Sequence, residues 1–267
     1  MIELLSHKFI ILAFIAIILV GFSAGYFGVF VVQRKLSFLG NGLAHSAFGG
    51  VALGILLNTQ PIYIAIPFTI IISILITYFK ENSSLSSDTL IGVFFSLAFA
   101  LGIIFLSLKD TYTTDAFAYL FGSILSINNE DITVLALMTI ITILTFFKYW
   151  ARWAYSTFDN ELAIADRLPV RLDNYLLSVL IALIIVLSVK IIGIVLISSY
   201  LVLPAAIARI YSRTFFQMTI LSIIIGITTG IISIIISVIM DLPTSAVIII
   251  FQSIVFIISF IIKKKLM

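Results

Sequence analysis

Residues 34–50 read RKLSFLGNGLAHSAFGG, and the interpretation of the whole chain starts from this stretch. Two basic residues, Arg34 and Lys35, interrupt the first long apolar run, and Asn41 and His45 follow at the start of the next one. Because charged side chains are costly in hydrocarbon, such an interruption separates two membrane-spanning helices. The stretch therefore predicts a pair of helices in which the second carries a histidine into the membrane.

The composition extends this prediction to the whole chain. Hydrophobic residues make up 62% of the 267 residues and charged residues only 10%, which exceeds the apolar content of a soluble domain. Backbone amides in lipid must be satisfied within their own segment, so the spans are predicted to be helices. We predict an all-α, polytopic membrane helical bundle forming one domain over residues 1–267, with nine spans and eight as the alternative. The predicted spans are 9–33, 41–58, 61–79, 89–108, 132–151, 173–189, 191–208, 214–240 and 243–262.

The number of spans depends on a weak break between the sixth and seventh, where only Lys190 and Gly193 interrupt an apolar stretch. With nine spans and a cytoplasmic loop at 152–172, twelve Lys and Arg residues fall inside and three, including Lys190, fall outside. If the two spans are fused into one, seven Lys and Arg residues lie inside, seven lie outside and Lys190 is buried in the membrane. The positive-inside rule therefore favours nine spans, with the N-terminus outside and the C-terminus cytoplasmic.

Several classes of function lack the residues that they need. All twelve acidic residues lie in loops or at span ends, whereas proton-coupled carriers keep a carboxylate inside the membrane. No nucleophile with a base, no paired carboxylates and no G-x-x-x-x-G-K-[ST] loop is visible, so we expect neither an enzyme nor ATP hydrolysis by this chain. The sequence contains no cysteine, which excludes thiolate metal ligands. The net charge of +3 says little about partners, and we expect no nucleic acid among them.

Short local patterns add two expectations, one about the outer surface and one about helix packing. Segment 116–127 is too short to span, so we predict a short helix at the outer surface. Pairs of glycines four residues apart allow close approach of helix backbones and occur at 21/25, 50/54 and 226/230.

Asn41 and His45 are four residues apart, which places them on one face of a helix. A neutral imidazole and an amide oxygen can hold a divalent cation, and an incomplete ligand shell suits a site that must release its ion. The alternative is structural: His45 would bond a backbone carbonyl, and Asn41 would cap its helix. Spacing alone leaves both interpretations open.

The loop at 152–172 is the longest polar stretch on the predicted inner side. Asp159 suits an N-cap and Glu161 the positive end of a helix, and Pro169 is expected to end that helix near Arg167 by restricting the residue before it. A short amphipathic helix parallel to the membrane follows. The pattern fits either a helix on the lipid surface or a docking element for a cytoplasmic partner.

Two ordered blocks of sequence carry a family resemblance. The first block comprises Gly28, Arg34–Lys35, Gly40–His45 and Gly49–Gly54. The second comprises Phe158–Ala163, Leu168–Val170, Val189–Leu196 and Leu203–Arg209, while Phe121–Ser123 and Asp241–Pro243 also match in kind and order. Together they resemble the signature of zinc/manganese ABC-importer permeases, and the resemblance covers nearly the whole chain.

The resemblance implies a type II ABC-importer-like permease in a prokaryotic cell membrane. It implies three protein partners besides membrane lipid: a second copy in a homodimer, a cytoplasmic ATPase dimer, and an extracytoplasmic metal-binding protein. It also implies that His45 and Asn41 are ligands of the metal in transit, with zinc expected first and manganese or iron next, and with no permanently bound cofactor. The residues implied in ATPase coupling are Asp159, Asn160, Glu161, Ala163, Arg167 and Pro169.

Two residues depart from the family pattern. The family usually has Asp where this chain has Asn41, which predicts a weaker metal site or a further ligand from elsewhere. It usually has Gly where this chain has Arg167, a change that a surface helix tolerates if the side chain lies outward. The alternatives are a permease for chelated iron or a corrinoid, and a stand-alone secondary metal carrier.

Overall fold

The computed structural model describes residues 8–109, 119–122 and 127–266. In these ranges the main elements are ten α-helices, which we number in chain order. They are α1 (Lys8–Gln33), α2 (Ser37–Leu56), α3 (Pro61–Asn82), α4 (Ser87–Ser107), α5 (Asn129–Phe158), α6 (Asn160–Ala165), α7 (Val170–Ile192), α8 (Ile194–Tyr211), α9 (Phe215–Met240) and α10 (Thr244–Leu266). Most of the helix predicted at 116–127 lies outside the described residues.

The predicted all-α membrane bundle is confirmed. Within the described ranges, nine helices, all except α6, are long and apolar enough to cross a membrane. Several helices extend beyond the apolar runs that predicted them, and α5 extends beyond its predicted span of 132–151 by three residues at the N-terminus and seven at the C-terminus. Its N-terminus is fixed by a capping box, in which Asn128 and Asp131 bond each other's backbone amides. Polar caps of this kind lie outside an apolar run, so hydropathy underestimates helix length.

The weak break between the sixth and seventh spans is a single residue, Gly193, with φ 88° and ψ 152°. Residues other than glycine very rarely adopt these φ and ψ values, because a Cβ atom clashes with the backbone there. The chain reverses direction there, because the start of α7 and the end of α8 both lie near the C-terminal end of α1. Asn174, early in α7, accepts a hydrogen bond from Arg34, which follows α1. Ala205, late in α8, packs with Val29 of α1. Lys190 instead pairs with Asp131 at 2.6 Å, at the opposite end of α7.

Close helix contacts occur at all three predicted glycine pairs, which confirms that packing role. A Cβ atom on Gly25 would lie 2.8 Å from the Cα of Ile223, and one on Gly226 would lie 2.8 Å from the carbonyl oxygen of Gly21. Between α2 and α3, a Cβ on Gly50 would lie 2.6 Å from the Cα of Ala65. These contacts hold α1 against α9 and α2 against α3. Helix α2 is the most deeply buried of the membrane helices in the described ranges.

Candidate functional site

Helix α2 is buried along most of its length, and its two half-exposed central positions are the two predicted ligands. From Leu39 to Ala52, every residue is buried except Asn41 and His45. Glycines on the other faces let neighbouring helices approach, since Gly42 packs against Ile91 of α4. The burial pattern therefore leaves one narrow stripe of α2 open to the surroundings, and an amide and an imidazole lie on it.

The His45 imidazole is oriented by aromatic rings. Phe95 and Phe99 of α4 meet it edge to face, with ring centroids at 4.9 and 5.7 Å. Among the described residues, the buried Nδ1 atom has no hydrogen-bond partner. The backbone-carbonyl bond of the structural alternative is therefore not made by this nitrogen. Two phenyl rings pack against the imidazole and leave Nδ1 without a hydrogen bond among the described residues.

Asn41 does not cap its helix, which contradicts the other half of the structural alternative. The residue at the N-cap of α2 is Leu36, without a side-chain cap, and Asn41 lies in the second turn. Its side-chain oxygen accepts a hydrogen bond from the Ser198 hydroxyl of α8 at 3.3 Å. A carbonyl oxygen has two lone pairs, so one remains available for a cation. Ser198 was missed by the sequence analysis because nothing local marks it as a neighbour of α2.

One protomer holds too few ligands for a complete metal shell. Among the described residues, there is no group of three or more His, Cys, Asp or Glu side chains that could hold a metal ion. Asn41 and His45 supply two donor atoms, whereas divalent transition metals take four or more ligands. The remaining ligands would have to come from water or from another chain.

The predicted polar loop at 152–172 contains the short helix α6, whereas residues 152–158 belong to the end of α5 and 170–172 to the start of α7. The Asp159 side chain accepts a hydrogen bond from the Leu162 amide at 2.8 Å, which confirms it as the N-cap. Asn160 and Glu161 are exposed and Ala163 is buried. The Tyr155 hydroxyl donates to Asp166 at 2.6 Å, so the end of α6 is fastened to α5.

The helix ends two residues before Arg167, close to the predicted position, but a different feature ends it. It ends at Ala165, before Arg167, and the Leu168 amide bonds the Ala163 carbonyl while the Arg167 amide bonds that of Ile164. This is a Schellman motif with Arg167 in the left-handed region at φ 59°. Pro169 instead occupies the N-cap of α7. The Arg167 side chain is exposed, as an outward orientation requires.

Exposed apolar side chains surround this polar segment. Phe158, Leu162 and Ile164 are 61%, 49% and 56% exposed, and they lie next to the exposed carboxylates of Asp159 and Glu161. Apolar surface rimmed by charge is typical of a protein interface.

Arg34 connects three helix ends on the same side of the molecule. Its guanidinium donates to the hydroxyls of Thr157 and Ser156 at 2.8 and 3.1 Å, and to the Asn174 side-chain oxygen at 2.8 Å. The Asn174 amide in turn donates to Glu81 at the end of α3, at 3.1 Å. Burial lowers the pKa of Arg34 to about 10, an effect that the Asp173 carboxylate opposes, so the group stays charged at neutral pH.

Among the described residues, nine helices that can cross a membrane and a polar stripe on the deeply buried helix α2 are typical of polytopic membrane proteins, the class to which permeases belong. The comparisons with known proteins name the family. The model of the ABC 3 transport family matches residues 6–263. The chain therefore belongs to the ABC 3 transport family, and the predicted permease resemblance is confirmed.

Relatives and solved structures agree with this assignment. The chain is 33% identical over 253 residues to the manganese import system permease protein ScaB of Streptococcus parasanguinis, covering 95% of this chain and 90% of the relative. It is 32% identical over 239 residues to the high-affinity zinc uptake system membrane protein ZnuB of Haemophilus influenzae, covering 90% and 92%. PsaBC from Streptococcus pneumoniae, solved in complex with a Fab, matches with a TM-score of 0.86 and 33% identity, covering 97% and 94%.

Proposed function

We propose that this chain is the permease subunit of an ATP-driven importer for a divalent transition metal. The observation that carries the proposal is the stripe on α2. In a family whose relatives are named for manganese and zinc transport, the half-exposed positions between Leu39 and Ala52 are an amide and an imidazole. Both residue types bind divalent metals. The Asn41 side-chain oxygen keeps a second lone pair, and the Nδ1 atom of His45 has no hydrogen-bond partner among the described residues.

Manganese and zinc are the metals that the ligand types favour, with iron the third candidate. An imidazole nitrogen suits zinc and iron, while an amide oxygen suits manganese. No ligand in the described part of the protomer restricts the choice to a thiophilic ion, since the chain has no cysteine. The ion is cargo and passes the site, so a weak and incomplete shell is an advantage for release.

A second copy of the chain completes the shell in this proposal. Two copies related by a two-fold axis would present two Asn41 and two His45 side chains to one ion. The exposure of Phe38, which lies one turn before Asn41, supports a protein contact here. A polar stripe facing lipid would be costly, and a partner that covers it removes that cost.

An ATPase partner supplies the energy in this proposal, and α6 is its docking element. The docking interpretation accounts for the mixture of exposed carboxylates and apolar side chains around α6 better than a lipid-surface helix does. A metal-binding protein on the outer side delivers the ion. Membership of an ABC transport family argues against a stand-alone carrier.

A permease for chelated iron or a corrinoid remains the second candidate because the fold alone does not separate it. A solved ABC transporter described as being of the metal-chelate type matches with a TM-score of 0.76, but at 16% identity, which indicates the fold alone. A large chelate carries its metal already coordinated. It has no use for His45, so the two candidates predict opposite results when His45 is replaced.

The decisive experiment is metal uptake by the complex of permease and ATPase in liposomes, with manganese, zinc and ferrous iron in competition. His45→Ala is expected to reduce uptake at least about tenfold, the usual scale for loss of a metal ligand or its support. His7→Ala, which replaces the other histidine of the sequence, serves as the control. Unchanged uptake by His45→Ala, with transport of the free ions by the wild type, would contradict the site assignment.

A second experiment tests the docking role of α6 separately from its folding. Asp159→Asn combined with Glu161→Gln removes both charges and retains a capping side chain at position 159. We expect the pair to reduce metal-stimulated ATP hydrolysis severalfold while the permease keeps its thermal stability. Full stimulation by this variant would favour the lipid-surface interpretation.

A further inference from the structure

We infer that Arg34 is the positioning residue through which movement of the coupling helix α6 reaches the metal-binding helix α2. The inference rests on the proposed function and adds a residue and a route to it. Arg34 lies in the turn between α1 and α2, and it is bonded to the segments on both sides of α6.

The first step of the route joins Arg34 to the flanks of α6. Thr157 and Ser156 belong to the last turn of α5, and Asp159 begins α6 immediately afterwards. Asn174 lies in the second turn of α7, directly after the segment that follows α6. A displacement of α6 by a docked partner must move one or both of these flanks, and the guanidinium is bonded to each.

The second step joins Arg34 to the metal stripe. The turn that contains it is tight: Lys35 adopts φ 57°, and the Leu36 amide bonds the Val31 carbonyl at 2.8 Å. Helix α2 begins at Ser37, so Asn41 follows one turn later. No flexible loop separates Arg34 from α2. A shift of the Arg34 guanidinium therefore displaces the first turn of α2.

The hydrogen-bond acceptors around Arg34 allow its guanidinium to move while it stays charged. The groups that accept hydrogen bonds from Arg34 are two hydroxyls, an amide oxygen and the Trp153 carbonyl, all of them neutral. Neutral acceptors hold a buried cation less rigidly than a carboxylate would. The planar guanidinium bonds α5 and α7 at the same time through a rigid fork of five N–H donors, whereas a lysine ammonium has only three donors on a flexible stem.

The test compares Arg34→Lys with Arg213→Lys in the reconstituted complex with the ATPase, using radioactive manganese and zinc as probes. Arg213 is exposed and lies between α8 and α9, at the same end of the molecule. The measurements are metal taken up per ATP hydrolysed, the ATPase rate without metal, and the melting temperature. We expect Arg34→Lys to lower uptake per ATP about tenfold, the scale of losing one or two charge-assisted bonds, while the metal-free ATPase rate is unchanged. Arg213→Lys is expected to leave all three unchanged.

A milder pair of variants keeps the inference testable if Arg34→Lys fails to fold. Thr157→Val removes the acceptor of the Arg34 Nε–H while keeping the shape, and Thr157→Ser keeps the oxygen. We expect the valine variant to lower uptake per ATP and the serine variant to match the wild type. Equal falls in uptake and ATP hydrolysis, with an unchanged ratio, would overturn the inference and show a merely structural role. Failure of the wild type to transport either metal would instead overturn the proposed function.

Discussion

An amide at position 41 leaves the stripe on α2 without a negative charge to offset a cation. Its oxygen accepts a bond from Ser198, and the neighbouring His45 is neutral in the metal-binding form. Each copy of the chain therefore contributes dipoles rather than charge to the proposed site. The site is expected to bind weakly and to load only at high local metal concentration, such as a delivery protein would provide.

Replacing this amide tests that interpretation. Asn41→Asp adds a carboxylate of the same shape, and the Ser198 hydroxyl can still donate to it. We expect the metal concentration for half-maximal uptake to fall about tenfold, because a charged ligand binds a divalent ion more strongly than a dipole. Uptake titrations in liposomes measure this. Asn82→Asp adds the same charge at the exposed end of α3 and is expected to change nothing; a fall of equal size there would point to a general surface charge effect.

Arg167 is the other residue at which the chain departs from the family pattern, and its backbone explains the glycine expected there. With φ 59°, it occupies the left-handed C′ position of α6, where glycine has no steric cost. Arg167→Gly is expected to raise the stability by about 0.5–1 kcal/mol, the relief of left-handed strain less the greater freedom of the unfolded chain.

Thermal unfolding in detergent measures this difference. Arg171→Gly, in the first turn of α7, is the matched control. It is expected to lose about 1 kcal/mol, because glycine weakens a helix. A destabilised Arg167→Gly would contradict the account of the C-cap.

At the scale of the elements, helix pairs are held together by glycines whose roles differ sharply with position. A Cβ at Gly25 of α1 would meet the backbone of Ser222 and Ile223 at 2.8 Å, whereas one at Gly92 of α4 would meet nothing within 4 Å. The same substitution therefore has opposite expected effects in two membrane helices of this chain.

Gly25→Ala is expected to destabilise the permease by about 1–3 kcal/mol through overpacking, because α1 and α9 must move apart. Gly92→Ala is expected to be neutral or to stabilise by up to about 1 kcal/mol, since alanine is the better helix former. Melting temperatures of the two variants, measured side by side, check the pair. Similar losses at both positions would contradict the close contact between α1 and α9.

Local patterns predicted most of the elements, while contacts between distant residues stayed hidden. Apolar runs identified nine spans, and Asp159 was identified as a cap because its partner, Leu162, lies three residues away. By contrast, Ser198 is separated from Asn41 by 157 positions, and Asn174 from Arg34 by 140. No periodicity encodes such pairs. The residue types of the stripe on α2 were predictable, but its exposure depends on how the five helices that contact α2 pack around it.

For the whole molecule, the placement of charge agrees with the arrangement of helix ends. Arg34, Glu81, Thr157 and Asn174, from four different elements, meet at one end of the bundle, while Asp131 and Lys190 meet at the other. The predicted cytoplasmic loops thus come together, as alternating spans require. The positive-inside count predicts that the first end faces the cytoplasm.

Labelling of cysteines tests this orientation cleanly, because the natural chain has none. Gln60→Cys, before α3, and Ser83→Cys, after α3, both replace exposed residues. In intact cells, a membrane-impermeant maleimide is expected to label position 60 and not position 83, and permeabilised cells are expected to show both. The reverse pattern would invert the proposed orientation and place α6 outside, away from any ATPase.

The reversal at Gly193 means that the topology of the C-terminal third is specified twice. The basic residues after α8 favour one side of the membrane, and the backbone at Gly193 independently turns the chain towards that side. A Cβ at this position would lie 2.7 Å from the Gly122 amide nitrogen, so any larger residue destabilises the turn. The basic residues after α8 would still favour the same side of the membrane. The two signals would then conflict, and the result would be a frustrated chain that misassembles, not a permease with an alternative orientation. Because residue 193 is a glycine, the backbone turn and the basic residues after α8 direct the chain to the same side of the membrane.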